Sequence, residues 1–402
     1  MPSLKGCYNI GDLRRRAKAR LPAPMFHYID GGSDDEWTLR RNTNAFDDCE
    51  LMPNYLRDIS QVKLGKTVMG RELALPFFLS PTGMSRLFHH EKELGACRAA
   101  DKFGTLYSLS TLSTTSLEDV AAATAGPKMF QIYILKDRLL TREFVQRCKS
   151  SGYHALCLTV DTMVAGNRER DLVNGMTMPP RITSISNFFS YARSVHWWLN
   201  MLRDPDFRLA NVAHRVDALG GGAMGLIDYV NSQFDRSVTW DDVAWLVEQW
   251  DGPFLIKGLQ SAQDARRAMD VGATGVMISN HGGRQLDSTP APFDCVEDMR
   301  NAVGDGLELI VDGGIRRGTH IIKALCRGAD ACSVGRAYLY GLAAGGQAGV
   351  ERALELLRSE LERGLALLGV ADVSELGPGH LRELCSGDFK AGNQAPDQGA
   401  RG

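Results

Sequence analysis

The sequence predicts a (β/α)8 barrel, an α/β fold in which eight parallel strands alternate with helices. Eight short runs rich in β-branched and aromatic residues recur from about residue 73, and helical segments lie between most of them. Parallel strands need such crossover helices. Single-domain barrels also commonly reach a length near the 402 residues of this chain. We therefore expect one barrel domain over residues 1–386.

The predicted strands follow one another with breaks between them. They are ALPFFLSP (74–81), GTLYSLS (104–110), PKMFQIYI (127–134), ALCLTVD (155–161), PFLIKG (253–258), GVMISN (275–280), LELIVDGG (307–314) and ACSVGR (331–336). Segments such as EKELGACRAADKF and THIIKALCRGAD have the pattern of the intervening helices. Eight such units predict that the sheet closes on itself.

Three regions lie outside this alternation. Residues 1–70 predict a cap of short helices, and residues 170–240 form a long insertion after the fourth strand. A connection of that length in a compact domain is usually functional or mobile. The polar tail, residues 387–402, is expected to be disordered.

Composition excludes several classes of function. The net charge is -2 and there is no run of Lys and Arg, so nucleic acid is not an expected partner. Nine cysteines without a CxxC pair fit reduced thiols in the cytoplasm, and they predict neither a disulfide framework nor a metal site. The N-terminus lacks the apolar core of a signal peptide, and no apolar stretch is long enough to span a bilayer. Any membrane contact should be peripheral.

Polar residues are concentrated where the predicted strands end. Gln131 and Tyr133 are two residues apart, as are Thr159 and Asp161, so each pair lies on one face of its strand. Barrel enzymes place their chemistry at these C-terminal ends. The sequence therefore predicts a site at this mouth of the barrel.

The last two strand ends have the pattern of a phosphate site. VDGGIRRG contains Gly314 and Arg316, and SVGRA contains Gly335 and Arg336. Glycines alone would equally fit tight turns, but the adjacent arginines favour a phosphate. We therefore expect a ligand that carries one.

A histidine, an aspartate and two cationic residues suggest the chemistry. His281 follows the sixth strand in SNHGGRQLD, and a lone histidine is more often a packed or surface residue. Asp161 could orient it as a base, and Arg284 could bind a carboxylate. Lys257 closes an apolar strand, where a lysine is costly unless its charge is paired. In a flavin enzyme, that charge would stabilise the anionic reduced ring. The sequence has no GxGxxG between an early strand and a helix, which argues against a nicotinamide dinucleotide as the cofactor.

These motifs together resemble one enzyme family. SNHGGRQLD, LTVD, FQIY, LIKG, VDGGIRRG and SVGRA, in this order, are similar to the FMN-dependent L-2-hydroxy acid dehydrogenases and oxidases. The resemblance runs from about residue 8 to 385. FHYIDGGSDDEWTLRRN and GLIDYVNSQFDRSVTWDDVAWLVEQW are most similar in appearance to bacterial respiratory L-lactate dehydrogenases.

The resemblance implies a role for each matching position. It implies that His281 is the catalytic base oriented by Asp161, and that Tyr133 contributes to catalysis and, with Tyr28, Arg168 and Arg284, to substrate binding. For FMN it implies Ser110, Gln131, Thr159 and Lys257 at the pyrimidine edge, Thr82 and Gly83 at N5, Asp312 at the ribityl chain, and Gly314, Arg316, Gly335 and Arg336 at the phosphate.

Two departures from the family narrow this interpretation. Gly83 stands where the oxidases commonly carry alanine, which favours a dehydrogenase that passes electrons to a quinone or another carrier. Leu112 stands where glycolate oxidase has a bulky tryptophan, which predicts room for a longer substrate side chain. Leu87 and Phe88 could refill that space. L-lactate is the expected substrate. Two alternatives remain: an oxidase that reduces O2 to H2O2, and a non-redox phosphate-binding barrel. The related enzymes suggest that the protein forms a homotetramer.

The insertion contains the most aromatic stretch of the chain. RITSISNFFSYARSVHWWLNMLRDPDFR (181–208) includes Phe188, Phe189, Trp197, Trp198, Leu199 and Leu202, with arginines beside them. An ordinary packed helix would account for this pattern. Tryptophan with basic flanks also suits the headgroup layer of an anionic bilayer. We therefore expect this segment to attach the protein peripherally to the cytoplasmic face of a bacterial inner membrane.

Overall fold

The structure, a computed structural model, describes residues 4–177, 181–213 and 232–384. The chain begins with three helices, α1 (Ile10–Arg20), α2 (Ala23–Asp30) and α3 (Trp37–Asn44). The side chain of Asn9 caps α1 by accepting a hydrogen bond from the Asp12 amide. A short strand, β1 (Cys49–Leu51), then pairs antiparallel with residues 381–383 near the other end of the described chain. The predicted N-terminal cap thus contains a strand as well as helices.

A small hairpin fills the N-terminal mouth of the barrel. It consists of β2 (Lys66–Val68) and β3 (Arg71–Leu73), which pair antiparallel. Val68, Met69 and Leu73 form one buried apolar cluster with side chains near the strand starts, including Phe78 and Met129. The hairpin therefore closes the end of the barrel opposite the predicted site.

The predicted barrel is confirmed. Its strands are β4 (Phe77–Thr82), β5 (Tyr107–Ser110), β6 (Lys128–Ile132), β7 (Ala155–Thr159), β8 (Phe254–Leu259), β9 (Gly275–Ser279), β10 (Glu308–Asp312) and β11 (Ala331–Val334). Each pairs in parallel with its neighbours, and β11 returns to β4 to close the sheet. Their near-continuous burial explains why they appear in the sequence as apolar runs without polar alternation.

Helices surround the strands. They are α4 (Lys92–Lys102), α5 (Leu117–Ala123), α6 (Arg138–Ser150), α7 (Glu169–Val173), α8 (Ile185–Arg193), α9 (Val195–Arg203), α10 (Trp240–Trp250), α11 (Ala262–Asp270), α12 (Val296–Val303), α13 (Gly318–Cys326) and α14 (Arg336–Leu368). Ser116, Asp137 and Ser261 cap α5, α6 and α11 through their side chains. α14 is interrupted at Gly345 and Gly346, where the backbone leaves helical geometry. The last strand, β12 (Leu381–Glu383), is the partner of β1.

The excursion after β7 holds α7, α8 and α9 before α10 leads into β8. α8 and α9 contact the cap and the loop after β4: the Ala23 amide donates to Ser190 Oγ at 2.7 Å, and Trp197 Nε1 donates to the Leu87 carbonyl at 2.8 Å. The tail predicted over 387–402 lies outside the described residues.

Candidate active site

A cavity of about 980 Å³ opens at the C-terminal ends of the barrel strands. Every predicted site residue except Asp161 lines it. The cap contributes Tyr28, and the excursion contributes Arg168 and Leu209. Asp161 lies beside the cavity, next to His281. The barrel therefore brings together residues that are up to 308 positions apart, from Tyr28 to Arg336.

His281 and Asp161 form the predicted pair, with 3.0 Å between His281 Nδ1 and Asp161 Oδ1. Burial would raise the pKa of Asp161, but its interaction with His281 and the positive charge of Lys257 outweigh burial and lower that pKa. Burial also lowers the pKa of His281, against the attraction of Asp161. The imidazole is therefore neutral at neutral pH, and with Nδ1 held by Asp161 its Nε2 can accept a proton.

His281 sits in a turn that requires an unusual backbone. Its φ is +58°, in the left-handed region that side chains other than glycine rarely occupy. The His281 amide donates to Ser279 Oγ at 3.1 Å, and the Gly283 amide donates to the Asn280 side chain at 3.0 Å. These bonds hold a strained conformation at the base, as is common where a residue must be pre-organised.

Two arginines converge on Tyr28. The guanidinium carbon of Arg284 lies 4.8 Å from the Tyr28 ring centroid, and that of Arg168 lies 5.8 Å from it. Burial and the nearby charge of Arg168 lower the pKa of Arg284 to about 9. An anion between the two guanidinium groups would relieve this repulsion. Across the cavity, burial raises the pKa of Tyr133 to about 12, so its hydroxyl stays protonated and can donate.

The other side of the cavity contains a buried ion pair. Lys257 Nζ lies 3.0 Å from Asp312 Oδ2 and donates to Ser279 Oγ at 3.0 Å. Burial opposes the charge on Lys257, but Asp312 and Asp161 together raise its pKa. Burial would likewise raise the pKa of Asp312, yet Lys257 and serine hydroxyls lower it to about 2. A permanent cation therefore faces this part of the cavity.

The phosphate side is built on glycines. Gly314 has a φ of +73°, and a Cβ there would lie 1.8 Å from the Asn42 carbonyl oxygen, so no other residue fits. Gly335 precedes α14, and Arg316 lines the same part of the cavity. Arg336 differs from the expectation in one respect. Its guanidinium donates to the carbonyls of Ile29, Gly31 and Gly282.

Comparison with known proteins identifies the family. Residues 17–383 match the family model described as FMN-dependent dehydrogenase. A putative L-lactate dehydrogenase of Mycobacterium tuberculosis is 41% identical over 384 residues, which cover 95% of this chain and 90% of that protein. Glycolate oxidase of Spinacia oleracea is 36% identical over 373 residues, covering 93% and 95% respectively. The chain belongs to the FMN-dependent L-2-hydroxy acid dehydrogenase and oxidase family. It is an FMN-dependent enzyme that oxidises 2-hydroxy acids.

A solved structure agrees with the fold of this FMN-dependent enzyme. The crystal structure of the monotopic membrane protein (S)-mandelate dehydrogenase superposes with a TM-score of 0.90 at 35% identity. The superposition covers 94% of this chain and 100% of that one. Membership of the family also removes the alternative of a non-redox phosphate-binding barrel.

The donors in the cavity of this FMN-dependent enzyme fit its cofactor. The hydroxyl of Thr159 is buried and has no hydrogen-bond partner among the described residues, so it can serve a ligand. Gln131 Oε1 accepts from Ser110 Oγ at 3.1 Å, which holds the amide at the cavity wall. With the Lys257 cation, these groups suit the polar edge of the flavin ring. The glycines and Arg316, in another part of the cavity, suit the phosphate.

Sequence reasoning missed two groups of this enzyme's site. Gln285 Nε2 donates to the carbonyls of Asp161 and Val164 at 2.7 and 2.8 Å, so it holds the loop that carries the aspartate. Phe234 packs edge-on against Tyr133 with 5.0 Å between ring centroids. Gln285 directly follows Arg284 in SNHGGRQLD, so its place in the motif was a signal. Phe234 lies in the insertion, within the segment GLIDYVNSQFDRSVTWDDVAWLVEQW that carries part of the resemblance, but no role was assigned to it.

Of the two residues that the sequence suggested could refill the space around Leu112, only Phe88 lines the same cavity as Leu112. Phe88 lines the cavity and stacks on Tyr28 with 6.4 Å between ring centroids. Leu87 is buried but does not line the cavity. Leu112 and Phe88 are therefore both part of the cavity wall.

α8 and α9 each present an exposed apolar face. The residues Ile185, Phe188, Phe189, Val195, Trp198, Leu199 and Leu202, here called the α8–α9 surface, are exposed. Their spacing of three or four residues along each helix places them on one face. Trp197, which the sequence grouped with them, is instead buried against the loop after β4. No helix in the described part of the chain is long and apolar enough to cross a membrane.

Proposed function

We propose that this protein is an L-2-hydroxy acid dehydrogenase whose substrate is L-lactate or a closely related acid. The observation that carries the proposal is the His281–Asp161 pair, with 3.0 Å between Nδ1 and Oδ1, whose histidine lines a cavity shared with Arg284 and Arg168. A base beside two cations suits an acid that must lose a proton next to its carboxylate. The same arrangement would serve each acid that the relatives' names imply, so the choice of L-lactate follows the similarity to the putative L-lactate dehydrogenase of Mycobacterium tuberculosis.

FMN would be held by the residues that the motifs indicated. Ser110, Gln131, Thr159 and Lys257 would hold its pyrimidine edge, the backbone of Thr82 and Gly83 its reactive edge, Asp312 its ribityl chain, and Gly314, Arg316, Gly335 and Arg336 its phosphate. Bound FMN supplies the acceptor for the electron pair that the substrate loses.

The protein groups would divide the remaining work. Arg284 and Arg168 bind and orient the substrate carboxylate, and the hydroxyls of Tyr28 and Tyr133 contact the substrate from opposite sides. Neutral His281 accepts a proton at Nε2, and Asp161 stabilises the imidazolium that results. The proton comes from the hydroxyl if the α-hydrogen leaves with its electron pair, or from the α-carbon otherwise. Both routes begin with His281 unprotonated.

We further propose that a membrane quinone or another carrier, rather than O2, accepts the electrons. Gly83 supports a dehydrogenase, and the α8–α9 surface supports peripheral attachment to the cytoplasmic face of a bacterial inner membrane. The mandelate dehydrogenase with the same fold is described as a monotopic membrane protein. Assembly into a homotetramer is part of the same proposal. The alternative is an oxidase that produces H2O2, as the glycolate oxidase relatives suggest by their name.

The substrate is tested by anaerobic reduction of the bound flavin. The purified protein is mixed with L-lactate, D-lactate, glycolate or L-mandelate, and the flavin absorbance near about 450 nm is followed. We expect bleaching by L-lactate at the highest ratio of rate to half-saturating concentration, and none by D-lactate. Faster bleaching by L-mandelate or glycolate would replace L-lactate as the substrate. Reduction by none of the four would contradict the proposed function.

A further inference from the structure

Arg336, at the start of α14, joins two turns that approach each other over the cavity. Nε donates to the Ile29 carbonyl at 2.8 Å, Nη2 to the Gly31 carbonyl at 2.7 Å, and Nη1 to the Gly282 carbonyl at 2.8 Å. Ile29 and Gly31 belong to the end of α2, next to Tyr28, whereas Gly282 directly follows His281. One guanidinium therefore spans the substrate-binding helix and the turn that carries the base.

Arg336 is partly buried, and carbonyl oxygens stabilise its charge. Among the described residues, no carboxylate forms an ion pair with it. Burial lowers the pKa of Arg336. The planar guanidinium donates to three carbonyl oxygens at once, and a lysine ammonium could not reproduce this arrangement. A residue needed only to attract a phosphate would not require these three contacts.

The two turns fit together only because glycines form them. A Cβ on Gly282 would lie 2.5 Å from Arg336 Nη1, and a Cβ on Gly32 would lie 2.7 Å from the Gly283 carbonyl oxygen. The Ser33 amide donates to that same Gly283 oxygen at 2.8 Å. The turn of the base thus contacts the end of α2 through backbone atoms, with Arg336 beside the contact.

We infer that Arg336 is a positioning residue that fixes the His281 turn against α2, and with it the distance between the base and the substrate held at Tyr28. His281 has a φ of +58°, so its placement depends on neighbours that hold the strained turn. Arg336 holds the carbonyl of the very next residue. The inference rests on the proposed role of His281. It gives the side chain of Arg336 a function beyond contact with the cofactor phosphate.

The first test compares Arg336→Gln with Arg316→Gln, because both arginines line the phosphate side. Three quantities are measured: the FMN dissociation constant, the limiting rate of flavin reduction in FMN-saturated protein, and hydrogen exchange of peptides covering 29–34 and 280–285. For Arg336→Gln we expect a limiting rate about 100-fold lower, because a displacement of the base near 1 Å has that effect. We also expect faster exchange in both peptides, with and without FMN.

Arg316→Gln should show the reverse balance. Loss of a charge-assisted bond to the phosphate is expected to weaken FMN binding about 10- to 100-fold, more than Arg336→Gln does. Exchange in 280–285 of the FMN-free protein should not change. If Arg336→Gln weakens FMN binding as much as Arg316→Gln does, with normal exchange and a normal limiting rate, Arg336 is a phosphate ligand only and the inference is wrong.

The second test is a double-mutant cycle with a matched control. Gly282→Ala places a methyl group against the guanidinium, so its cost should shrink in the Arg336→Gln background. Gly283→Ala has a similar φ, +73° against +69°, but its methyl would meet the Leu39 backbone nitrogen at 2.6 Å. Its cost should therefore be the same in both backgrounds. If the effects of Gly282→Ala and Gly283→Ala both add to that of Arg336→Gln without coupling, the inference is wrong.

Each cycle is measured as the logarithm of the limiting rate and as the urea midpoint, so a variant that folds poorly still reports the coupling. The result also separates two kinds of failure. If His281→Ala keeps normal flavin reduction, the proposed function fails. If His281→Ala loses it and Arg336→Gln does not, only the role of Arg336 fails.

Discussion

The cavity and the α8–α9 surface differ in which side chains they bury and which they expose. In the cavity, polar groups are buried: Thr159 and Gln131 are 2% exposed and Lys257 is 3% exposed. On the α8–α9 surface, apolar groups face outward, with Leu202 77% and Phe189 53% exposed. Each arrangement is costly in isolation, because buried polar groups need partners and large exposed apolar patches favour association. The buried polar groups suit the FMN of the family and an acid substrate, and the exposed apolar residues support the membrane attachment that we propose.

The two regions are connected through one loop. Trp197 of α9 bonds to the Leu87 carbonyl, and the next residue, Phe88, lines the cavity and stacks on Tyr28. Arg86, 1% exposed, donates to the Asn200 carbonyl at 3.1 Å near the end of α9. The variants below test whether each region still acts independently.

The largest effect is expected from removing the base. His281→Ala should lower the limiting rate of flavin reduction by about 10²- to 10⁴-fold, the usual contribution of a general base. FMN binding should persist, since His281 is not among the groups assigned to hold the cofactor. Stopped-flow reduction by L-lactate under argon measures the rate, and the flavin spectrum measures occupancy. Asp161→Asn, which keeps the shape but loses the charge, should be impaired as well. Near-normal reduction by His281→Ala would remove the assignment.

A smaller effect, on substrate binding, is expected at the carboxylate side. Arg284→Lys keeps a positive charge but loses the planar two-donor fork and its stacking on Tyr28. The loss of one charge-assisted hydrogen bond corresponds to about 1.5–3 kcal/mol. The half-saturating substrate concentration should therefore rise more than the limiting rate falls. Unchanged saturation would show that Arg284 does not bind the carboxylate.

The third prediction concerns the α8–α9 surface alone. Trp198→Glu combined with Leu202→Glu should abolish binding to vesicles that contain anionic lipid, while dye-coupled oxidation of L-lactate continues. Leu367→Glu is the matched control, because Leu367 is 68% exposed on α14, outside this surface. Replacing 181–208 by a short polar linker should likewise release the protein from membranes. If the unaltered protein ignores anionic vesicles, the membrane proposal is wrong and the chemistry in the cavity is unaffected.

The same contrast explains what the sequence could predict. Each barrel strand is a short buried run, and the polar residue at its end faces a mouth whose position the fold determines. Gln131, Thr159, Lys257 and His281 could therefore be placed together before any coordinates. Asp161 was placed at the mouth too, yet it lies beside the cavity, in contact with His281.

Other features depend on contacts that no spacing encodes. The guanidinium of Arg336 faces three carbonyls from distant turns, although its neighbours in SVGRA indicated a phosphate. Trp197 and Trp198 are adjacent in sequence, yet Trp197 is 5% exposed and Trp198 is 44% exposed, because the helical rotation of α9 decides which one meets Leu87. The sequence likewise did not predict the β2–β3 hairpin, most of which lies in a region expected to form a cap of short helices.

The smallest predicted effect is at Gly83, and it tests whether this residue influences the preference between the two kinds of acceptor. A Cβ there would lie 3.0 Å from the Leu112 carbonyl oxygen and 3.1 Å from Leu112 Cβ, so alanine fits only if the loop after β5 moves by a few tenths of an ångström. The Met84 amide donates to that same carbonyl at 2.9 Å, which ties the two loops together. A shift of Leu112 would therefore change the space beside the flavin edge, and with it the access of O2. Peroxide formation and dye-coupled turnover are compared in Gly83→Ala and the unaltered protein at equal FMN content. We expect their ratio to change, because the two acceptors approach the flavin differently. Identical ratios would remove Gly83 as a reason to favour a dehydrogenase.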